Sequence, residues 1–154
     1  MKKASKKPRR APSFRALSRE ECDELLERNN VGRIAFTFHD RVDIEPVHYV
    51  YSGGWLHGRT STGTKIATLL HHPWVAFEVD EVRGIFDWQS VVVHGAVYIP
   101  EVDGSPSDLA AYDATLALVR ELVPEALSPD DPTPARQVLF RIHVDEVTGR
   151  ASSS

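Results

Sequence analysis

The sequence predicts a mainly β protein with helices (α+β), a small antiparallel barrel of six strands with about three helices packed outside it. Three observations predict it. Short segments of alternating apolar and polar residues follow one another closely, joined by tight turns at His39-Asp40-Arg41 and Ser52-Gly53-Gly54. Strands and helices do not alternate in βαβ order, and no G-x-G-x-x-G occurs, which argues against a Rossmann site. The 154 residues, 42% of them hydrophobic, suffice for one domain with a real core.

Taken in order, residues 1–16 lack periodicity and read as a disordered basic tail, with residues 17–150 as the single folded domain. Ser18 and Glu21 form an S-x-x-E capping box for a helix, with Leu17 as its staple and Leu25 and Leu26 on its apolar face. Three strands follow. Arg33 to His39 carries Ile34, Phe36 and Phe38 on one face. Val42 to Tyr51 contains Pro46, which implies an edge, a bulge or a broken ladder. Trp55 to Arg59 returns after the glycine turn. Lys65 to Leu70 has helical spacing and stops before Pro73. Val75 to Val79 reads as a half-buried strand, and Asp80 to Phe86 as a polar loop. Asp87 to Pro100 is a long strand in which Gly95 implies a bend or bulge. Ser107 or Asp108 caps a helix bearing Leu109, Tyr112, Leu116, Val119 and Leu122. Four prolines make residues 124–134 irregular, Gln137 to Val144 is the last strand, and Ala151 to Ser154 is a frayed end.

Composition narrows the functional classes. The first ten residues hold six Lys or Arg and no acid, so residues 11–154 carry 12 basic against 22 acidic side chains, or −10. An acidic body with a basic tail does not read as a specific nucleic-acid binder. No apolar run approaches the roughly 20 residues of a membrane span. Cys22, the single cysteine, can form no intrachain disulfide, which suits a reducing cytoplasm; it reads as a small buried residue of the first helix. The seven histidines show no metal-ligand spacing, so no metal site is expected.

The chemistry concentrates between Gly54 and Asp80. Thr60-Ser61-Thr62-Gly63-Thr64 is a run of hydroxyls around one glycine at the start of the short helix, flanked by Arg59 and Lys65. Hydroxyls, free backbone N–H groups and the helix dipole together favour an anion. The segment reads as a phosphate-binding corner, although a helix N-cap with flanking surface charges uses the same residue types.

Four segments in this order resemble the pyridoxamine 5′-phosphate oxidase-like FMN-binding split-barrel superfamily, and within it the nitroimidazole-resistance branch. They are VGRIAFTFHDRVDIEPVHYVY, LHGRTSTGTKIATLLHHPWVAFEVDE, WQSVVVHGAVYIP and IHVDEVTGR. The resemblance runs from about Leu17 to Arg150. It implies a six-stranded antiparallel split β-barrel of the FMN-binding type, assembled as a homodimer with FMN in grooves between protomers. By that match Arg59, Thr60, Ser61 and Lys65 contact the phosphate and ribityl chain. Pro46, Val47, His48 and Tyr49 lie against the flavin ring, mainly through backbone groups. Trp88, Gln89 and Ser90, at the start of the long strand, also lie near the cofactor. Trp88, Tyr49 and Trp55 are candidate ring walls, with the core as the alternative place for each. His48 is the candidate proton donor to a small-molecule substrate. The implied activity is reduction of a small organic acceptor. The alternatives are a reductase using the deazaflavin F420, because Thr64 rather than Arg precedes Lys65, and a non-catalytic flavin-binding or redox-sensing protein. The family's oxidases proper have a longer C-terminal region with an Arg for the substrate phosphate, so vitamin B6 oxidase activity is not expected.

Overall fold

The computed structural model describes residues 10–61, 69 and 72–154. Within them run β1 (Ser13–Ala16), α1 (Arg19–Arg28), β2 (Val31–Phe38), β3 (Arg41–His48), β4 (Val50–Ser52), β5 (Trp55–Thr60), β6 (Trp74–Gly84), β7 (Asp87–Tyr98), α2 (Pro106–Leu122), β8 (Val138–His143) and β9 (Glu146–Ser153). Apart from Leu69, the helix expected over Lys65 to Leu70 lies outside the described residues, and so does Lys65.

Among the described residues the strands number nine, not six. One extra strand comes from a break at Tyr49. Its N–H donates to the Asn30 carbonyl at 2.9 Å and its own carbonyl accepts from Asn30 Nδ2 at 3.1 Å, which takes it out of the ladder and separates β3 from β4. The other two are β1 and β9, where a tail and a frayed end were expected. Neither has an apolar alternation of its own. β9 is held by its antiparallel ladder to β7 from Trp88↔Ser152 to His94↔Glu146, and β1 is held by β9. The strand order β3-β2-β6-β7-β8-β5-β4 is antiparallel throughout, an open mainly β sheet with two helices among the described residues.

Local chemistry explains most boundaries. The α1 capping box is present as expected: Ser18 Oγ accepts from the Glu21 N–H at 3.1 Å and Glu21 Oε1 accepts from the Ser18 N–H at 3.2 Å. Gly53 (φ 59°) and Gly54 (φ 81°) supply the two left-handed residues of the β4–β5 hairpin. Pro46 sits in β3, an edge strand, where its missing N–H breaks no interior ladder. β6 runs on to Gly84 where a loop was expected, because its ladder to β7 continues through Val82↔Trp88 and Gly84↔Asp87; Arg28 pairs with Glu81 at 2.6 Å and Arg33 with Asp80 at 3.4 Å along it. α2 is capped by Ser105, with Pro106 at its first turn, a few residues before the expected Ser107 or Asp108. At Gly95, β7 changes partner from β9 to β8; a Cβ there would lie 1.8 Å from the His143 carbonyl oxygen, so only glycine fits.

The main core lies inside the sheet and is closed at one end by α1, with Leu25, Leu26, Phe77, Val91, Val93 and Ile142 fully or nearly fully buried. Cys22 belongs to this core, as expected. A second, smaller cluster joins Val119 of α2 to Ala126 and Leu139 on the far side of β5 and β8.

Candidate functional site

The end of β3, the end of β5 and the C-terminal part of α2 enclose a groove of about 480 Å³. No ladder joins β3 to β5; they approach where the His48 carbonyl faces Gly58. A Cβ on Gly58 would stand 2.7 Å from the Phe140 ring and 3.1 Å from that carbonyl oxygen, so the glycine permits the approach. Six residues singled out in the sequence, Pro46, Val47, His48, Arg59, Thr60 and Ser61, line this one groove. Their sequence separation is bridged by the β4–β5 hairpin, which folds β5 back beside the end of β3. The opposite wall is apolar, from Val119, Leu122 and Val123, and is continued by Pro132, Thr133 and Arg136 of the connection after α2. No functional role for that wall is legible in the sequence. Its signals in the sequence are the helical spacing of Val119 and Leu122 and the cluster of prolines that follows.

Arg59 is committed to that connection. Its guanidinium forks onto Asp131 at 2.6 and 3.0 Å, with the two side chains 7% and 1% exposed. It also donates to Thr133 Oγ1 at 2.7 Å and to the Arg136 carbonyl at 3.4 Å. Asp131 further accepts from the N–H groups of Leu127 and Thr133, each at 2.9 Å. The Arg59 hydrogen bonds, aided by these backbone donors, hold the Asp131 carboxyl well below the usual carboxylate range despite its desolvation. Leu127 adopts φ 58°, a strained conformation for a branched side chain, held by its bond to Asp131.

The remaining expected residues lie elsewhere. The Tyr49 side chain is core: its hydroxyl donates to the Leu26 carbonyl at 2.8 Å, its ring meets Phe77 edge-on, and burial pushes the phenol pKa up. Trp88, Gln89 and Ser90 sit at the start of β7, between β6 and β9, and do not line this groove. Trp88 lies 6.4 Å from the Phe14 ring, Gln89 Oε1 accepts from Arg28 at 3.2 Å, and Ser90 donates to Glu78 at 3.3 Å. Trp55 packs against Tyr98, His143 and the Arg141 guanidinium, also away from the groove.

One histidine inside the groove was not selected from the sequence. His57 is buried, with Nδ1 2.8 Å from Thr115 Oγ1 of α2. Desolvation, with the nearby Arg141 charge, lowers its pKa to about 4, so its ring is neutral near neutral pH. Among the described residues no cluster of three metal-ligating side chains occurs, and no helix is long and apolar enough to cross a membrane.

An open antiparallel sheet with a cofactor-sized groove at one edge, apolar on one wall and carrying hydroxyls and a cation on its rim, defines a small-ligand-binding β protein. The chain belongs to the pyridoxamine 5′-phosphate oxidase family, whose model matches residues 18–151. It is similar to the crystal structure of an FAD-binding protein from Mesorhizobium loti (29% identity, 92% of this chain and 99% of that one, TM-score 0.73). It is also similar to the FAD-binding protein of Mycobacterium smegmatis (25% identity, 89% and 98%, TM-score 0.63). A putative 5-nitroimidazole antibiotic resistance protein from Bacteroides thetaiotaomicron shares the fold (15% identity, 92% and 89%, TM-score 0.67).

Proposed function

We propose that this protein is a flavin-dependent oxidoreductase that binds FMN in the groove between β3, β5 and α2 and reduces a small organic acceptor. The observation that carries this reading is the convergence of Pro46–His48 and Arg59–Ser61 on one groove. The residues fit the group. A flavin offers a flat, mostly apolar ring and an anionic phosphate; the groove offers apolar walls, the Thr60 and Ser61 hydroxyls and an Arg on its rim. A bound flavin supplies the electron-transfer chemistry. The chain's own residues hold and orient it. Pro46 and Val47 present backbone and apolar surface, α2 excludes water from the far wall, and the exposed His48 on the strand wall is the proton donor to the substrate. The FAD-binding relatives favour FAD as the second choice of flavin, ahead of F420.

The active species is a homodimer in this reading. On β3 and β6, Val42, Ile44 and Trp74 are 78%, 62% and 54% exposed, an apolar face suited to a second copy. Trp88 and Ser90 stand on the same outward side and reach a cofactor only if it is a neighbour's. A single cysteine suits the cytoplasm. The test is steady reduction of a nitro compound or quinone by the flavin-loaded protein with NAD(P)H as donor. Turnover supports the reading, whereas a protein that binds flavin tightly and never turns over is a carrier or sensor.

A further inference from the structure

We infer that Arg136 is the guanidinium that holds a phosphate of the flavin nucleotide, and that Arg59 is the positioning residue that presents it. This rests on the flavin reading above. Arg59 lies beside the hydroxyl run and looks like the phosphate ligand in the sequence. In the fold its four terminal N–H groups are matched by four acceptors: both Asp131 oxygens, Thr133 Oγ1 and the Arg136 carbonyl. Its charge is balanced by a carboxylate that is itself fully hydrogen-bonded. Such a pair has neither a free fork nor net charge to offer a dianion.

The same bonds fix the next segment. The Arg136 carbonyl accepts from Arg59, and the Arg136 N–H donates to the Thr133 carbonyl at 3.0 Å, closing a turn whose other end is pinned by Asp131. The Arg136 backbone is thus anchored on the groove rim while its side chain is exposed. Among the described residues no carboxylate lies within ion-pair distance of its guanidinium. The other titratable groups lining the groove do not compete for this role: His57 is neutral, Glu45 is acidic, and His48 stands on the strand wall. An exposed Arg without a carboxylate partner, lining the same groove as the Thr60 and Ser61 hydroxyls in an acidic body, is a phosphate-recognition arrangement. The phosphate is the terminal one of FMN or the second one of FAD.

The experiment titrates the full-length chain, its Arg136→Ala and its Arg136→Lys variants with riboflavin, FMN and FAD, followed by flavin fluorescence. Arg136→Ala lowers affinity for a phosphorylated flavin roughly 10- to 100-fold, the scale of one charged hydrogen-bond pair. Riboflavin affinity stays unchanged, and Arg136→Lys restores part of the loss. A loss for both FMN and FAD identifies the terminal phosphate; a loss for FAD alone identifies the second. Unchanged melting temperature in Arg136→Ala shows that the fold is intact. Wild-type affinity of Arg136→Ala for all three flavins overturns the assignment and leaves the flavin reading standing. A wild-type chain that binds none of them overturns both.

Discussion

At the scale of the residue, His57 is the side chain whose titration the fold most clearly controls. Its pKa falls from 6.5 to about 4 through burial. The unfolded chain therefore binds more protons than the native one between those values. Stability is full above the unfolded pKa and declines as pH falls through the window from 6.5 to about 4. The limiting loss is roughly 3 kcal/mol. Thermal melts across that window show the decline in the wild type, and His57→Gln flattens it; equal slopes in both assign the effect elsewhere. Gly95 is set by sterics instead. Gly95→Ala drives a Cβ into the His143 carbonyl and destabilises the chain by about 1–3 kcal/mol or more, read as a lower urea midpoint. An unchanged midpoint contradicts the close approach. Residue roles were legible where they depend on near neighbours, as in Ser18, whose hydroxyl accepts from the Glu21 N–H three residues on. They were illegible where the partner is remote. Arg59 carries its charge openly in the sequence, but the carboxylate that takes it stands 72 residues later. Tyr49 is likewise decided by Leu26 and Phe77.

At the scale of the element, α1 was readable almost completely, because its capping box and apolar stripe are local signals. Ser18→Ala removes the cap and costs about 1 kcal/mol, measurable by chemical denaturation. No change in stability indicates that tertiary packing of Leu25 and Leu26 alone defines the helix start. β1 and β9 were not readable. SFRA and EVTGRASS lack apolar alternation, and their strand form follows from the free edge that the first half of β7 presents. The extension of β6 was hidden for a related reason. Its charged residues Asp80 and Glu81 look like loop residues until Arg33 and Arg28 arrive beside them from β2 and α1.

At the scale of the whole molecule, the fold leaves an exposed apolar edge on β3 and divides the expected cofactor residues into two places. The proposed homodimer would account for both. Light scattering is expected to give twice the chain mass, and Ile44→Lys, placing a charge on that edge, to give the mass of one chain. A wild-type monomer removes the shared-site arrangement while leaving the groove in place. The central claim is that the β3–β5–α2 groove binds a flavin. The measurement that tests it most directly is titration of the purified protein with FMN and with FAD, followed by the visible flavin spectrum. A saturable spectral shift at about one flavin per chain is expected, typical of a preformed pocket. Free-flavin spectra at every protein concentration, for both FMN and FAD, contradict it.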